Sequence, residues 1–279
     1  MVFSSYAKIN LSLTVNSRRK NSLHEIQSFF CLVNLADKIK LNKIKGKKDK
    51  INFKGSFAKL VNKKNNSIIN LFKLLRRLRL ISNYYSVTII KNIPVFGGLG
   101  GGTGNAAFIL KYLLKDKIKS RELLNKAEGI IGSDLRLFFH NQGFLKNLAT
   151  IIDLKKRQKL FFVLVQPNLK CSTKKIYSKV QKYSKKKTLV QNRINTKSKF
   201  INFISKTGND LQSVVEKRYP LIKRLLTDIR NEKECCFSRM TGSGSVCYGL
   251  FKDQIYAKKA LNKLKIKYPK FWFSIAKTV

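Results

Sequence analysis

Eight residues, Gly97-Gly98-Leu99-Gly100-Gly101-Gly102-Thr103-Gly104, hold six glycines, and they stand between a segment patterned as a strand and one patterned as a helix. Upstream, Tyr85-Ser86-Val87-Thr88-Ile89 alternates as a half-buried strand does and leads into Pro94. Downstream, Ala106, Ala107, Leu110, Leu113 and Leu114 recur at helical spacing. Without Cβ atoms, successive backbone N–H groups can turn inward on one anion, and a helix N-terminus adds partial positive charge. A strand, glycine loop and helix in that order therefore suit the phosphates of a nucleotide, with a plain flexible turn as the alternative.

The loop excludes two common phosphate binders. No Gly-Lys-Ser/Thr closes it, and no dinucleotide fingerprint with an acidic partner in a following strand is present. The chain also lacks a His-Arg-Asp loop and an Asp-Phe-Gly triplet, so a protein-kinase mechanism is disfavoured.

The remaining pattern mixes helices and strands. Ile68, Leu71, Phe72 and Leu75 share one helical face, with Arg76, Arg77 and Arg79 near the end where the helix dipole favours cations. Leu160 to Val165 is a continuous apolar run ended by Pro167, the mark of a strand buried on both faces. A lysine-rich stretch from Lys174 to Lys199 predicts a solvated helix and loop, and a helix is predicted over about 211–229. A second small-residue loop, Met240 to Ser245, precedes an alternating strand, Val246 to Phe251, then a helix near 255–264 and a strand near 271–276. This order predicts an α+β protein, and 279 residues suit two domains.

With 59 Lys+Arg against 14 Asp+Glu, the net charge of +45 would draw RNA, DNA or anionic lipid at low salt. The lysines are spread over nearly every segment, and no aromatic RNP pattern or zinc-finger spacing accompanies them. We therefore expect no specific nucleic-acid partner, and read a basic nucleic-acid-binding protein as the rival class. Five cysteines, without a CxxC pair, suggest neither a disulfide framework nor a zinc site, and no residue is assigned as a metal ligand. No apolar run approaches the roughly 18 residues that span a bilayer, and the first fifteen residues lack a basic region ahead of an apolar block. The expected setting is cytoplasmic, with no membrane partner, as a monomer or homodimer.

The glycine loop resembles the central motif of the galactokinase, homoserine kinase, mevalonate kinase and phosphomevalonate kinase superfamily. Further segments resemble one branch of it, the 4-diphosphocytidyl-2-C-methyl-D-erythritol kinases. Ala7-Lys8-Ile9-Asn10-Leu11 resembles their Ala-Lys-x-Asn-Leu strand, Leu23-His24-Glu25-Ile26 their Tyr-His-Glu-Leu, and Gly132-Ser133-Asp134-Leu135-Arg136 their Gly-Ala-Asp-Val-Pro. Asn209-Asp210-Leu211 resembles Asn-Asp-Leu-Glu, and Met240-Thr241-Gly242-Ser243-Gly244 resembles Met-Ser-Gly-Thr-Gly. The segments stand in family order across about 240 residues.

The resemblance implies an N-terminal ATP-binding domain with a split β-α-β layout, residues 1–155, and a C-terminal ferredoxin-like domain, residues 156–279, with substrate between them. It implies a small-molecule kinase that uses ATP and Mg²⁺ to phosphorylate the 2-hydroxyl of a cytidine-diphosphate-linked sugar alcohol in the non-mevalonate isoprenoid route. Asp134 is implied as the carboxylate that takes or orients the acceptor proton, with Lys8 beside it. Nucleotide contacts are implied for Asn66, Pro94, Gly97, Gly98, Leu99, Gly100, Gly101, Gly102, Thr103, Gly104 and Asn105, Thr103 also being a candidate helix cap. Acceptor contacts are implied for Asn10, His24, Tyr177, Thr241 and Gly242, with His24 reading the cytosine and Tyr177 stacking on it.

Departures from the pattern are visible at Leu23 for a tyrosine, Ser22 and Phe96 for glycines, Gly104 for a serine, Arg136 for a proline and Gln212 for a glutamate. A homoserine- or mevalonate-type kinase of the same superfamily is the alternative enzyme. The Leu23-His24-Glu25-Ile26 segment favours the cytidine-dependent branch.

Overall fold

The computed structural model describes residues 1–19, 24–115, 120–189 and 194–279. In chain order these form β1 (Val2–Asn10), β2 (Thr14–Arg18), β3 (His24–Ile44), β4 (Lys50–Lys54), α1 (Ser67–Arg77), β5 (Tyr84–Ile90), α2 (Gly101–Leu114) and α3 (Arg121–Ile131). A 3-10 turn, Leu135–Phe139, precedes β6 (Gln142–Asn147), β7 (Thr150–Asp153), β8 (Phe161–Gln166), α4 (Thr173–Tyr177), α5 (Lys197–Ser205), α6 (Gln212–Arg218) and α7 (Pro220–Arg230). The chain ends with β9 (Cys235–Met240), β10 (Cys247–Phe251), α8 (Gln254–Lys267) and β11 (Trp272–Lys277). The helices and strands make the expected α+β protein.

Two compact units share the chain. The first comprises Met1–Lys8, Leu35–Val95 and Gly100–His140; the second comprises Ile9–Asn34, Phe96–Leu99 and Asn141–Val279. The 21-residue strand β3 runs through both, and its burial changes where it passes from one to the other. Ile26 to Val33 are buried without alternation, whereas beyond Asn34 the buried Ile39 and Leu41 alternate with the exposed Lys38 and Lys40. One strand thus carries both patterns, apolar on two faces and then on one.

In the first unit, β3 pairs antiparallel with β5, setting Ile39 opposite Ile89 and Leu41 opposite Val87, and β4 pairs parallel with β5. The predicted stripe of α1 is buried: Ile68, Leu71, Phe72 and Leu75, with Leu74 beside them. Asn66 starts this helix by accepting the Ile68 and Ile69 N–H groups at 3.1 and 3.2 Å. Arg76 in its last turn holds Asp49 with two N–H donors at 2.7 and 2.8 Å, and Asp49 also accepts the Tyr85 N–H.

In the second unit, β3 pairs with β2 and β6, and β6 with β7. Beyond them lies a four-stranded antiparallel sheet in the order β11-β8-β10-β9. With helices after β8 and between β10 and β11, this is the ferredoxin-like arrangement that the resemblance implies. The central strands β8 and β10 are buried at every position but Phe161, which is half-buried, because neighbours cover both faces, and only Gln166 at the end of β8 breaks its apolar run. At Gly249 an added Cβ would lie 2.8 Å from Phe251 Cε2 and 2.5 Å from Ile229 Cγ2, so the sheet admits α7 only where β10 has no side chain.

The single helix expected over 211–229 is two. Tyr219 leaves helical geometry before Pro220, whose ring lacks an N–H and suits the first position of α7. The lysine-rich stretch is solvated as expected but not loose: Ser184 donates its N–H to Val15 O at 2.8 Å and Lys187 donates its own to Gln27 Oε1 at 2.7 Å. Buried Arg239 donates to the carbonyls of Leu11 and Thr207, and the Tyr248 hydroxyl donates to Leu11 O at 3.2 Å. All five cysteines are free; burial above all pushes the Cys235 thiol up to about 12 and raises the Cys31 and Cys247 thiols further, so none is a ready nucleophile.

Candidate active site

The glycine loop divides between the two units, and each part is fixed within its own. In the first unit Gly100 caps α2 in the left-handed region at φ 68°, and no side chain caps the helix. This corrects the expectation that Thr103 is the cap: it lies inside the first turn, and its Oγ1 sits 2.9 Å from where a Cβ on Gly132 would be. A helix of 14 residues whose first N–H groups have no side-chain cap retains its partial positive charge for an anion.

The ring of Phe138 explains two glycines. A Cβ on Gly100 would meet Phe138 Cζ at 2.8 Å, and one on Gly104 would meet Phe138 Cε1 at 2.7 Å, so the ring fills the space that the serine of the family pattern needs. Gly101 is backed by Ile93, and the Gly102 carbonyl accepts the Ser67 hydroxyl at 2.7 Å. Asn66, expected at the nucleotide, therefore stands one residue before a side chain that touches the loop. Pro94 and Asn105 are buried, and among the described residues the Asn105 Oδ1 has no hydrogen-bond partner.

Lys8 Nζ lies 2.9 Å from Asp134 Oδ2. The lysine side chain is 3% exposed and the carboxylate 30%, so the pair has a closed cationic side and an open anionic one. Asp134 occupies the cap position of the 3-10 turn yet makes no cap hydrogen bond with its side chain. Buried Arg136, two residues on, holds Glu128 of α3 through Nε at 2.9 Å and Nη2 at 3.0 Å, and Asn125 at 2.9 Å. The replacement of the family's proline thus adds a side-chain tie between the turn and α3.

In the second unit the other part of the loop meets the Thr241–Gly244 loop. The Ser245 and Val246 N–H groups donate to Phe96 O and Gly97 O at 3.1 and 3.3 Å, while Leu99 is buried. Gly98 has φ 73°, and a Cβ there would overlap the Thr241 carbonyl oxygen. Thr241 Oγ1 accepts the Asn10 N–H at 3.0 Å, and Asn10 donates through Nδ2 to Ser28 Oγ at 2.8 Å. Gly242 is held by Asn209, whose Nδ2 donates to Met240 O and Gly242 O at 2.8 Å each. Asn209 is a site-supporting residue that its motif flagged without revealing its partner.

His24 and Tyr177 also come together in the second unit, ring centroids 5.1 Å apart at 37°. Burial first, and then the charge of Arg18, lower the His24 pKa below its ordinary value, so the imidazole is neutral at pH 7. A neutral ring has one donor and one acceptor, as reading a base edge requires. Leu23 and Ser22, where the sequence departs from the family beside His24, lie outside the described residues. Among the described residues no group of three or more His, Cys, Asp or Glu side chains surrounds a common point.

The uncapped, glycine-lined helix start fits a nucleotide triphosphate, and the oxygen donors of Asp134, Thr103 and Asn105 are of the hard type that Mg²⁺ accepts. Comparison with known proteins gives concordant relatives. Residues 186–270 match the family model for the GHMP kinases C terminal domain. The chain is 35% identical over 285 residues to the 4-diphosphocytidyl-2-C-methyl-D-erythritol kinase of Pelagibacter ubique, covering 99% of this chain and 98% of the relative. Among solved structures it is similar to a 4-(cytidine 5'-diphospho)-2C-methyl-D-erythritol kinase at TM-score 0.77 and 20% identity, with both chains fully covered. It is also similar to the homoserine kinase of Cytophaga hutchinsonii at TM-score 0.71 and 15% identity, covering 100% of this chain and 93% of that one. At these identities the solved structures speak to the fold.

Proposed function

The chain belongs to the 4-diphosphocytidyl-2-C-methyl-D-erythritol kinase family, and from this premise we propose that it transfers the γ-phosphoryl group of ATP to the 2-hydroxyl of 4-diphosphocytidyl-2-C-methyl-D-erythritol. The reaction serves the non-mevalonate route to isoprenoids, in the cytoplasm. The family's division into domains 1–155 and 156–279 and a monomeric or homodimeric state are part of this reading.

The observation that carries the proposal is the Lys8–Asp134 pair. As the acceptor oxygen forms its bond to the γ-phosphorus and the bridging bond to ADP breaks, the hydroxyl proton passes to the Asp134 carboxylate. Lys8 offsets negative charge that develops during transfer. The backbone N–H groups at Gly100 to Thr103 and the start of α2 hold the phosphates. Thr103 and Asn105 would hold the water shell of a Mg²⁺ ion bound with the nucleotide, and such an ion would supply charge neutralisation at the phosphates. Neutral His24 reads the cytosine edge and Tyr177 stacks on the ring, while Asn10, Thr241 and Gly242 hold the remainder of the acceptor.

A coupled ADP-release assay across 4-diphosphocytidyl-2-C-methyl-D-erythritol, homoserine and mevalonate tests the substrate. Turnover confined to the cytidine compound supports the proposal. Turnover on homoserine or mevalonate alone replaces it with the alternative enzyme.

A further inference from the structure

Asp37 in β3 is fully buried, yet its carboxylate takes four donors from both sides of the glycine loop. Oδ1 accepts the N–H groups of Asn92 at 2.7 Å and Ile93 at 2.8 Å, in the segment that enters the loop. Oδ2 accepts the Lys91 ammonium and, at 3.0 Å, Nδ2 of Asn105, in the helix that leaves it. All five residues belong to the first unit. A strand residue whose side chain served only the core would be apolar here, because burying a carboxylate and an ammonium is repaid only when every lone pair and proton is matched.

The carboxylate also decides which way Asn105 faces. Already bonded to an ammonium and two backbone N–H groups, Asp37 has only acceptor oxygens to offer, so Asn105 must turn its amide nitrogen to it. The oxygen is left over, and Oδ1 of Asn105 is buried without a partner among the described residues. Gly101 lies against the same cluster: a Cβ there would be 2.9 Å from Ile93 Cγ2 and 3.3 Å from Lys91 Nζ.

We propose that Asp37 is a positioning residue for the nucleotide: it pins the entry and exit of the phosphate loop to one point and presents the Asn105 Oδ1 as an acceptor toward a hydroxyl of the nucleotide or a metal-bound water. The proposal rests on the kinase reading and adds a role for a residue that touches neither substrate. Its signature is selective, since a loosened loop weakens ATP and leaves the sugar alcohol unaffected.

Asp37→Asn leaves the Lys91 ammonium buried without a counter-charge, which lowers stability for reasons unrelated to the loop, so the decisive variant is Asp37→Asn combined with Lys91→Met. Thermal midpoint, KM for ATP, KM for the acceptor and calorimetric affinity for a non-hydrolysable ATP analogue are measured for wild type and both variants. The expected result is that the double variant regains most of the thermal midpoint lost by the single one. Its KM for ATP and its analogue Kd stay at least tenfold above wild type, with the acceptor KM within twofold. A double variant of restored stability that binds ATP as wild type does overturns the proposal, as does an equal rise in both KM values. Failure of both variants to fold also overturns it, since it assigns the carboxylate to the core. Wild type that binds no ATP analogue sinks the kinase reading itself, an outcome distinct from all of these.

Discussion

The ammonium of Lys8 and the carboxylate of Asp134 stand 2.9 Å apart, the first almost sealed from solvent and the second open on one side. A cation held so steadies a carboxylate that remains partly open to solvent. Removing the charge while keeping the shape, by Asp134→Asn, should lower kcat by about 10²–10⁴-fold, the usual share of a positioned base, with KM for ATP within about threefold. Steady-state kinetics in both substrates checks this, and a variant that keeps near-wild-type kcat removes Asp134 from the chemistry.

Gly101→Val should act on the other substrate. The new side chain would drive into Ile93 and block the approach of the backbone to phosphate. We expect KM for ATP to rise about tenfold or more in a variant whose circular dichroism matches wild type. Unchanged nucleotide affinity would place the phosphates elsewhere.

The lowered pKa of His24 gives a pH signature. Its folded value lies below 6.5, so the imidazole is neutral above that pH and becomes charged only beneath it. The acceptor's KM should therefore be flat from pH 8 to about 6.5 and rise at lower pH, with KM for ATP much less affected. The stability contribution has the same sign: present above 6.5 and lost as pH falls through the folded value. In His24→Ala the acceptor's KM should be high throughout and lose this rise; an acid rise that persists in the variant belongs to another group.

Arg136→Ala strands the Glu128 carboxylate in a mostly closed site, its side chain 14% exposed. Loss of one partner of such a pair costs about 3–5 kcal/mol when fully buried, and about 2–3 kcal/mol is expected here because both ends keep some solvent. Urea denaturation reads the loss. Pairing Arg136→Ala with Glu128→Ala should return at least half of it; a double variant as unstable as the single one would mean that packing, not charge, accounts for the effect.

The charge of +45 is expected to produce only salt-sensitive, sequence-independent association with nucleic acid. Binding to duplex DNA or RNA should fall by orders of magnitude between about 50 and 200 mM salt, as counterion release dictates. Tight, sequence-selective binding at the higher salt would contradict this.

What was legible in the sequence was local. Glycines at Gly98 and Gly100, where φ is positive, and the apolar stripe of α1 depend on near neighbours, and pattern alone finds them. What escaped was decided across the chain. Alternation in Leu35-Ala36-Asp37-Lys38-Ile39 sets Asp37 on the buried face with Ile39, but its partners are not adjacent in sequence: Lys91 lies 54 residues on, and Asn105 further still. Phe138 likewise gives no hint in sequence that it fills the space at Gly100 and Gly104. Thr103 misled because a hydroxyl at a helix start usually caps, whereas a left-handed glycine had already done so. The break at Tyr219-Pro220 was readable, since the residue before a proline avoids helical geometry, and the apolar periodicity on either side concealed it.

The sharing of β3 and the N-terminal strand between the two units has a consequence for biosynthesis. Every segment of the first unit has been made once His140 leaves the ribosome, so that unit can close early. The segment Ile9–Asn34 cannot: the Leu11 carbonyl waits for Arg239 and Tyr248, more than two hundred residues later, and Phe29, Phe30 and Leu32 have no finished core to enter. At about 5–20 residues per second that interval is of the order of 10–50 s. From the emergence of His140 to that of Arg239 the nascent chain carries an unsheltered apolar strand, a ready ligand for a holdase chaperone, bracketed in sequence by a unit whose every segment has been made.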